Sequence, residues 1–252
     1  MELGEAQLLD ALACLLGATG CHVPDDPASA YGRYSSPRLG WQVPARLAWV
    51  LQELPSLVLP LLECARATSS HLRRQPNACL LAMFLIDYAH RTLIFPLLIR
   101  GGKPTPLSIM TSAIVFCTYN GYLQGRYLSQ YAEYPDDWMT DPRFLAGAAL
   151  WFVGLLINLH SDHILRMLRE PGETGYKIPR GGLFEYVSAA NYFGEVVEWC
   201  GYALATWSAQ GCAFAFFTFL VLFTRAKEHH QWYHEKFEDY PKSRKMLLPF
   251  LL

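Results

Sequence analysis

Residues 154–169 read Gly154-Leu-Leu-Ile-Asn158-Leu-His-Ser-Asp162-His-Ile-Leu-Arg166-Met-Leu-Arg169. They put charge where the chain should be crossing a membrane. An apolar run, Phe144–Ile157, leads straight into them. At about 100° per residue on a helix, Asn158, Asp162, Arg166 and Arg169 fall within one narrow sector. A link rich in Gly and Pro, Glu170–Leu183, follows. A second helical run then places Asn191, Glu195 and Glu198 at i, i+4 and i+7, again on one face. Ala, Val, Phe, Tyr and Trp surround both stripes. Two facing polar stripes on adjacent apolar helices describe a lined cavity. Arg166 and Arg169 equally suit interfacial helix ends whose side chains snorkel to water. Asn191 and Glu195 point to function, because an intramembrane carboxylate is costly and is normally paired.

Composition agrees with a membrane reading. The 252 residues are 52% hydrophobic and only 17% charged, with a mean hydropathy of +0.12. That is too apolar for an ordinary soluble domain. A net charge of −1 points to no charged partner, and nucleic acid is not expected. The seven cysteines lie mostly inside apolar runs, with no CxxC and no His/Cys cluster at zinc spacing, so no metal is expected.

Seven candidate spans follow in order, roughly 6–23, 45–64, 78–99, 107–127, 144–165, 186–207 and 210–225, near the length a bilayer core requires. The first has an acidic lead, Glu2 and Glu5, in place of the basic start of a signal peptide, and is expected to be retained. Loops one, three and five and the C-terminal tail hold fifteen of the 21 Lys and Arg residues, and the opposite set holds five. This asymmetry predicts a cytosolic C-terminus and a lumenal N-terminus. No repeat or domain linker interrupts the chain. The expected architecture is therefore all-α and polytopic, a single domain over 1–252 with seven transmembrane helices around an intramembrane cavity. Residues 107–252 carry most of the polar lining.

Other residues bear on chemistry. In Gln52-Glu53-Leu54-Pro55 an acid sits in mid-span beside a proline that loosens the helix backbone. Glu53 is then either a structural acid bonded to that backbone or a functional one facing the stripes. Asp87 and Arg91 stand at i, i+4 and are expected to neutralise each other. Tyr88 alone reads as an interface anchor. Arg225-Ala-Lys227-Glu-His229-His230-Gln-Trp232-Tyr233 reads as a basic–aromatic helix beyond the last span, suited to lipid headgroups or to a phosphate-bearing ligand. His229 and His230 are adjacent and cannot share a helical face. No G-x-G-x-x-G follows a strand and no Walker loop is present. On these grounds alone an enzyme and a transporter are level.

Several stretches resemble the steroid 5α-reductases. They are Gln52–Ser56, Phe116-Cys-Thr-Tyr-Asn120-Gly-Tyr-Leu-Gln-Gly125, Ile157–Asp162, Pro179-Arg-Gly-Gly-Leu-Phe184-Glu-Tyr-Val and Phe237–Lys245. The match runs from about Tyr31 onward, and Arg100-Gly-Gly-Lys-Pro and Arg225–His230 are similar to the type 1 branch. The resemblance implies a seven-span protein of the endoplasmic reticulum membrane that uses NADPH to reduce the Δ4 bond of 3-oxosteroids such as testosterone and progesterone. No oligomer is required. It assigns Glu53 and Tyr88 to the steroid C3 oxygen. It assigns Asn158, Asp162, Arg169, Tyr176, Asn191, Glu195, Arg225, His229 and Tyr233 to NADPH, with Lys103 and Lys177 near its phosphates. Ser112 departs from the type 2 branch, which has an Arg there. Hydride delivered to C5 of an enone pushes charge onto the C3 oxygen, where the Tyr88 hydroxyl and a protonated Glu53 are expected to act as donors. The alternatives are a related membrane reductase or methyltransferase, or a sterol carrier. A carrier of the common kind would show half-chain repeats.

Overall fold

Helices account for nearly all of the regular structure. The computed structural model describes residues 4–20, 32–36, 38, 40–68, 70–169, 173 and 175–251. Helix α1 (Glu5–Gly20) precedes α2 (Ala45–Arg66) and α3 (Gln75–Ala89). A single π-turn, His90–Ile94, carries α3 onward into α4 (Phe95–Leu98). Then come α5 (Leu107–Arg126), extended by a second π-turn over Tyr127–Tyr131, and α6 (Pro142–Met167), α7 (Ala190–Thr206) and α8 (Ala209–Lys236). Each expected span thus contains a helix, although Cys21–Val23 of the first lie outside the described residues.

Among the described residues, four helical rods are long and apolar enough to cross a membrane: α2, α3 through α4, α6 and α8. The chain is a multi-pass membrane protein. The other three rods differ for physical reasons. α1 and α7 have only 16 and 17 residues, and α5 carries Asn120, Gln124 and Arg126. One expectation needs correction. The basic–aromatic segment is not a separate surface helix, because α8 continues unbroken for 28 residues to Lys236. It has no proline or glycine after Gly211 to stop it.

Local chemistry sets the helix ends. Asp141 caps α6, accepting from the Arg143 N–H at 2.8 Å. The Arg143 guanidinium beside it holds the carboxyl down to about 2. Ser208 caps α8 through the Gly211 N–H at 3.1 Å. Just before it, Trp207 ends α7 in the left-handed region at φ 45°.

Small residues set the packing. α6 carries Gly147 and Gly154, and α7 carries Gly194 and Gly201, each pair seven residues apart. A Cβ on Gly194 would lie 2.5 Å from the Asn158 nitrogen, and one on Gly154 would run into the backbone of Glu198. Only glycine lets these backbones touch, the same device that brings membrane helices together through small residues. A second close approach joins α5 to α2, where a Cβ on Gly125 would lie 2.6 Å from the Pro60 Cα.

The core between the rods is aromatic. Phe84, Tyr88, Trp199, Tyr202 and Phe214 pack with centroids 4.5–6.1 Å apart. At one end, Arg126 joins α5 to Glu5 of α1 at 2.8 Å and to Glu63 of α2 at 3.3 Å. At the other end, the strands β1 (Gln42–Val43) and β2 (Thr105–Pro106) pair antiparallel. There too the buried Arg244 donates to the Pro179 carbonyl at 2.9 Å, tying the tail to the α6–α7 link. Nearby, the Gly181 N–H and Arg244 hold the Glu185 carboxyl below its ordinary value.

Candidate functional site

The glycine contact between α6 and α7 is what assembles the site. It lays the two polar stripes side by side, so that the Asn158 amide donates to the Asn191 carbonyl at 3.0 Å. The Asn191 side chain in turn bonds Asp162. Above this seam lies a cavity of about 150 Å³, whose lining includes Trp49, Arg91, Asn158, Asp162, Asn191 and Glu195. A second cavity of about 210 Å³ shares Asn191 and Tyr192 with the first and is lined further by Arg33, Ser188, Arg225, His229 and Tyr233. We refer to them as the inner and outer chambers.

The inner chamber is organised by Arg91. Its guanidinium reaches Glu53 of α2 at 3.4 Å and Glu195 of α7 at 3.3 Å, with the face of Trp49 at 5.5 Å. The expected pairing of Arg91 with Asp87 is therefore not what forms. The backbone through Ala89 and His90 keeps α-helical angles, so it is the carboxylates that α2 and α7 bring to Arg91 that take its guanidinium. Glu53 also accepts from Gln52 at 3.3 Å. Its expected role as a neutral donor thus has to be read beside a guanidinium that the sequence reading did not place there. Tyr88 is not an interface anchor. It is 3% exposed, packed on Phe84 and Trp199, and within the field of Glu53 and Arg91. Its hydroxyl has no hydrogen-bond partner among the described residues.

The outer chamber is basic and aromatic. Arg33 lies over Trp232 at 4.5 Å and Tyr233 at 4.7 Å and donates to the Tyr233 hydroxyl at 3.2 Å. Its Nη1 is buried without a hydrogen-bond partner among the described residues. His229 is held between the hydroxyls of Tyr34 and Tyr192, each at 3.1 Å, and burial pushes the Tyr34 hydroxyl up to about 12. Arg169 lies over Tyr176 at 4.8 Å, and Tyr176 meets Trp232 edge-on, so both flank this chamber.

Six expected residues line neither chamber: Glu53 and Tyr88 stand beside Arg91 outside the inner lining, Arg169 and Tyr176 flank the outer one, and Lys103 and Lys177 lie apart. Lys103 donates to the carbonyls of Arg33 at 2.9 Å and Ser35 at 3.3 Å, and so holds the loop that carries Arg33. Lys177 pairs with the exposed Glu173. Arg33, Tyr34, Trp49 and Tyr192 were missed. Arg33 and Tyr34 stand in a loop with no periodicity to orient them. Tyr192 follows Asn191 directly, off the stripe. Among the described residues there is no His/Cys/Asp/Glu group that could hold a metal ion.

Comparison with known proteins adds the chemistry. A family profile described as 3-oxo-5-alpha-steroid 4-dehydrogenase matches residues 103–252, the segment that supplies α5 to α8 and most of both chambers. The chain belongs to the 3-oxo-5-alpha-steroid 4-dehydrogenase family. Members of this family are oxidoreductases. The chain is 67% identical to 3-oxo-5-alpha-steroid 4-dehydrogenase 1 of Bos taurus, over 100% of each protein. It is 64% identical to 3-oxo-5-alpha-steroid 4-dehydrogenase 1 of Homo sapiens, over 99% of this chain and 97% of the relative. Identity to 3-oxo-5-alpha-steroid 4-dehydrogenase 2 of Homo sapiens is 51%, over 94% and 92%. The type 1 resemblance holds across the full length.

Proposed function

We propose that the chain reduces the Δ4 double bond of 3-oxo-Δ4-steroids, testosterone and progesterone among them, using NADPH and delivering hydride to C5. The observation that carries this reading is the pair of joined chambers, an acidic one organised by Arg91 and a basic one behind it. About 150 Å³ is the size of cavity that accepts one six-membered ring. The outer chamber offers Arg33 with a buried, unpartnered N–H, together with Arg225, His229 and Tyr233, a donor set suited to phosphates. A nicotinamide dinucleotide fits both. Asn158, Asp162, Asn191 and Glu195 would hold its ring end, and Arg33, Arg225, His229 and Tyr233 its phosphates, flanked by Arg169 and Tyr176. Lys103 supports this set through the Arg33 loop, and Lys177 stands at its margin.

When bound, the cofactor supplies the hydride. The chain's own part is to stabilise the charge that appears on the steroid C3 oxygen. Tyr88 donates its hydroxyl proton in a hydrogen bond to that oxygen. Glu53 acts beside it, positioned by Arg91 and Gln52. The aromatic wall of Phe84, Trp199 and Phe214 excludes water, so each donor acts in a low dielectric where it is worth more. The same reading makes the protein seven-spanning in the endoplasmic reticulum membrane, with a lumenal N-terminus and a cytosolic C-terminus. It requires no oligomer.

Membranes from cells expressing the chain, given a 3-oxo-Δ4-steroid and NADPH, should lose the enone absorbance. Arg33→Ala should raise the KM for NADPH while leaving that for the steroid nearly unchanged. No enone loss with NADPH or NADH would overturn the assignment, and activity with S-adenosylmethionine in their place would make the chain a methyltransferase.

A further inference from the structure

We propose that Ser188 is a further phosphate-binding residue of the outer chamber, and that His230 and Tyr240 position its hydroxyl for that task. The inference rests on the dinucleotide reading above and deepens it, since the phosphate set given there leaves Ser188 without a part.

Ser188 lies just ahead of α7 and is buried. Of these three residues it alone lines the outer chamber, together with Arg33, Arg225, His229 and Tyr233. Its Oγ meets the His230 Nδ1 and the Tyr240 hydroxyl, each at 2.6 Å. Its backbone N–H donates to the Lys245 carbonyl at 2.9 Å, so the residue is fixed from α8 and from the tail at once. Arg244 lies over the Tyr240 ring at 5.4 Å. Beside Ser188, α7 opens with no side-chain cap, which leaves first-turn N–H groups for an anion to meet.

A serine hydroxyl has one proton to donate and two lone pairs to accept with. A guanidinium beside a phenol favours donation of the phenol proton, so Tyr240 donates to Ser188 Oγ. While His230 is neutral and accepts at Nδ1, the Ser188 proton is engaged there, and the hydroxyl has only a lone pair left for the chamber. A phosphate oxygen is repelled by it. Once Nδ1 carries a proton, His230 donates to Oγ, both lone pairs are occupied, and the Ser188 proton is left for a ligand oxygen. Bound phosphate therefore favours protonated His230, and by linkage protons favour phosphate binding. The titratable and charged groups facing His230 are His234 of α8 and Tyr240 and Lys245 of the tail. None of these is a carboxylate, so a phosphate in the chamber is the anion that answers the imidazolium.

The test is equilibrium binding of NADPH to the purified full-length protein in nanodiscs, measured between about pH 6 and about pH 8. Ser188→Ala should raise the Kd about tenfold near neutral pH. Tyr240→Phe keeps the ring stacked on Tyr233, with centroids 5.1 Å apart, and should raise the Kd about threefold. For His230→Gln, the ratio of its Kd to that of the parent should grow about fivefold as the pH falls through this range. The 2′-phosphate of the ligand titrates alike with both proteins and cancels in that ratio. A role in packing alone would lower the thermal midpoint of the ligand-free protein and leave the Kd of the folded fraction where it was. That result, or a ratio that stays flat with pH, would overturn the proposal. If the unsubstituted protein binds no NADPH, the dinucleotide reading falls and takes this inference with it. If it binds NADPH and folded Ser188→Ala binds equally well, only the inference falls.

Discussion

Arg91 holds carboxylates from two helices, Glu53 of α2 and Glu195 of α7. Removing one member of such a group leaves the others charged and uncompensated, commonly at a cost of about 3–5 kcal/mol. That cost frames the prediction for Glu53. Glu53→Gln keeps the volume, still accepts from Arg91 and offers an N–H to the C3 oxygen. Glu53→Ala keeps none of these and should lose about 10²–10³ in kcat, as when an oxyanion donor is removed. The amide variant should retain clearly more activity, with folding checked by NADPH binding. Equal collapse would mean that the charge of Glu53, and not a donated hydrogen bond, is what the reaction needs. At this scale the sequence was legible where helical periodicity applies. Asn158, Asp162, Asn191 and Glu195 sat on stripes and were found. Arg91 was paired with Asp87 because spacing along one helix says nothing of the carboxylates that other helices bring to it. Arg33 and Tyr34 sit in a loop, where spacing carries no directional information.

Between elements, the α6–α7 seam decides whether a site exists at all. A side chain at Gly194 has to push into the Asn158 backbone, which would part the two amides that join the stripes. Gly194→Val should therefore lower the thermal midpoint in detergent, by an amount matching about 1–3 kcal/mol or more of overpacking, and weaken NADPH binding with it. Gly175→Ala, with nothing within 4 Å of the added atom, should leave both unchanged. A valine variant as stable as the parent would show that the helices can separate without harm. The seven-residue spacing of the glycines was present in the sequence all along. What it lacked was the partner, since a stripe of small residues names a contact face without saying which helix meets it. Helix positions were far more legible, because bilayer thickness sets the length of an apolar run. The end of α8 was the exception, because polarity marks where hydrophobicity stops and not where a helix does.

Across the whole molecule, the basic loops gather at one end. Lys103 holds the Arg33 loop, Arg33 lies on Trp232 and Tyr233, and Arg244 binds Pro179. The fifteen-to-five division of Lys and Arg predicts that this end faces the cytosol. A glycosylation acceptor added after Leu252 should stay unmodified, and one placed ahead of Leu8 should be used. Modification at the C-terminal position would reverse the orientation and put the outer chamber in the lumen. The contact of Arg33 with Tyr233 spans 200 residues of chain, and this has a consequence for biogenesis. Arg225, His229 and Tyr233 of the outer chamber lie on α8, the last helix of the chain, whereas the acids of the inner chamber lie on helices that precede it. A chain stopped before α8 would keep those acids and lack the α8 residues proposed for the phosphates. On the proposed reading, an added dinucleotide would stabilise only chains that include α8, and a chain truncated before it would gain nothing.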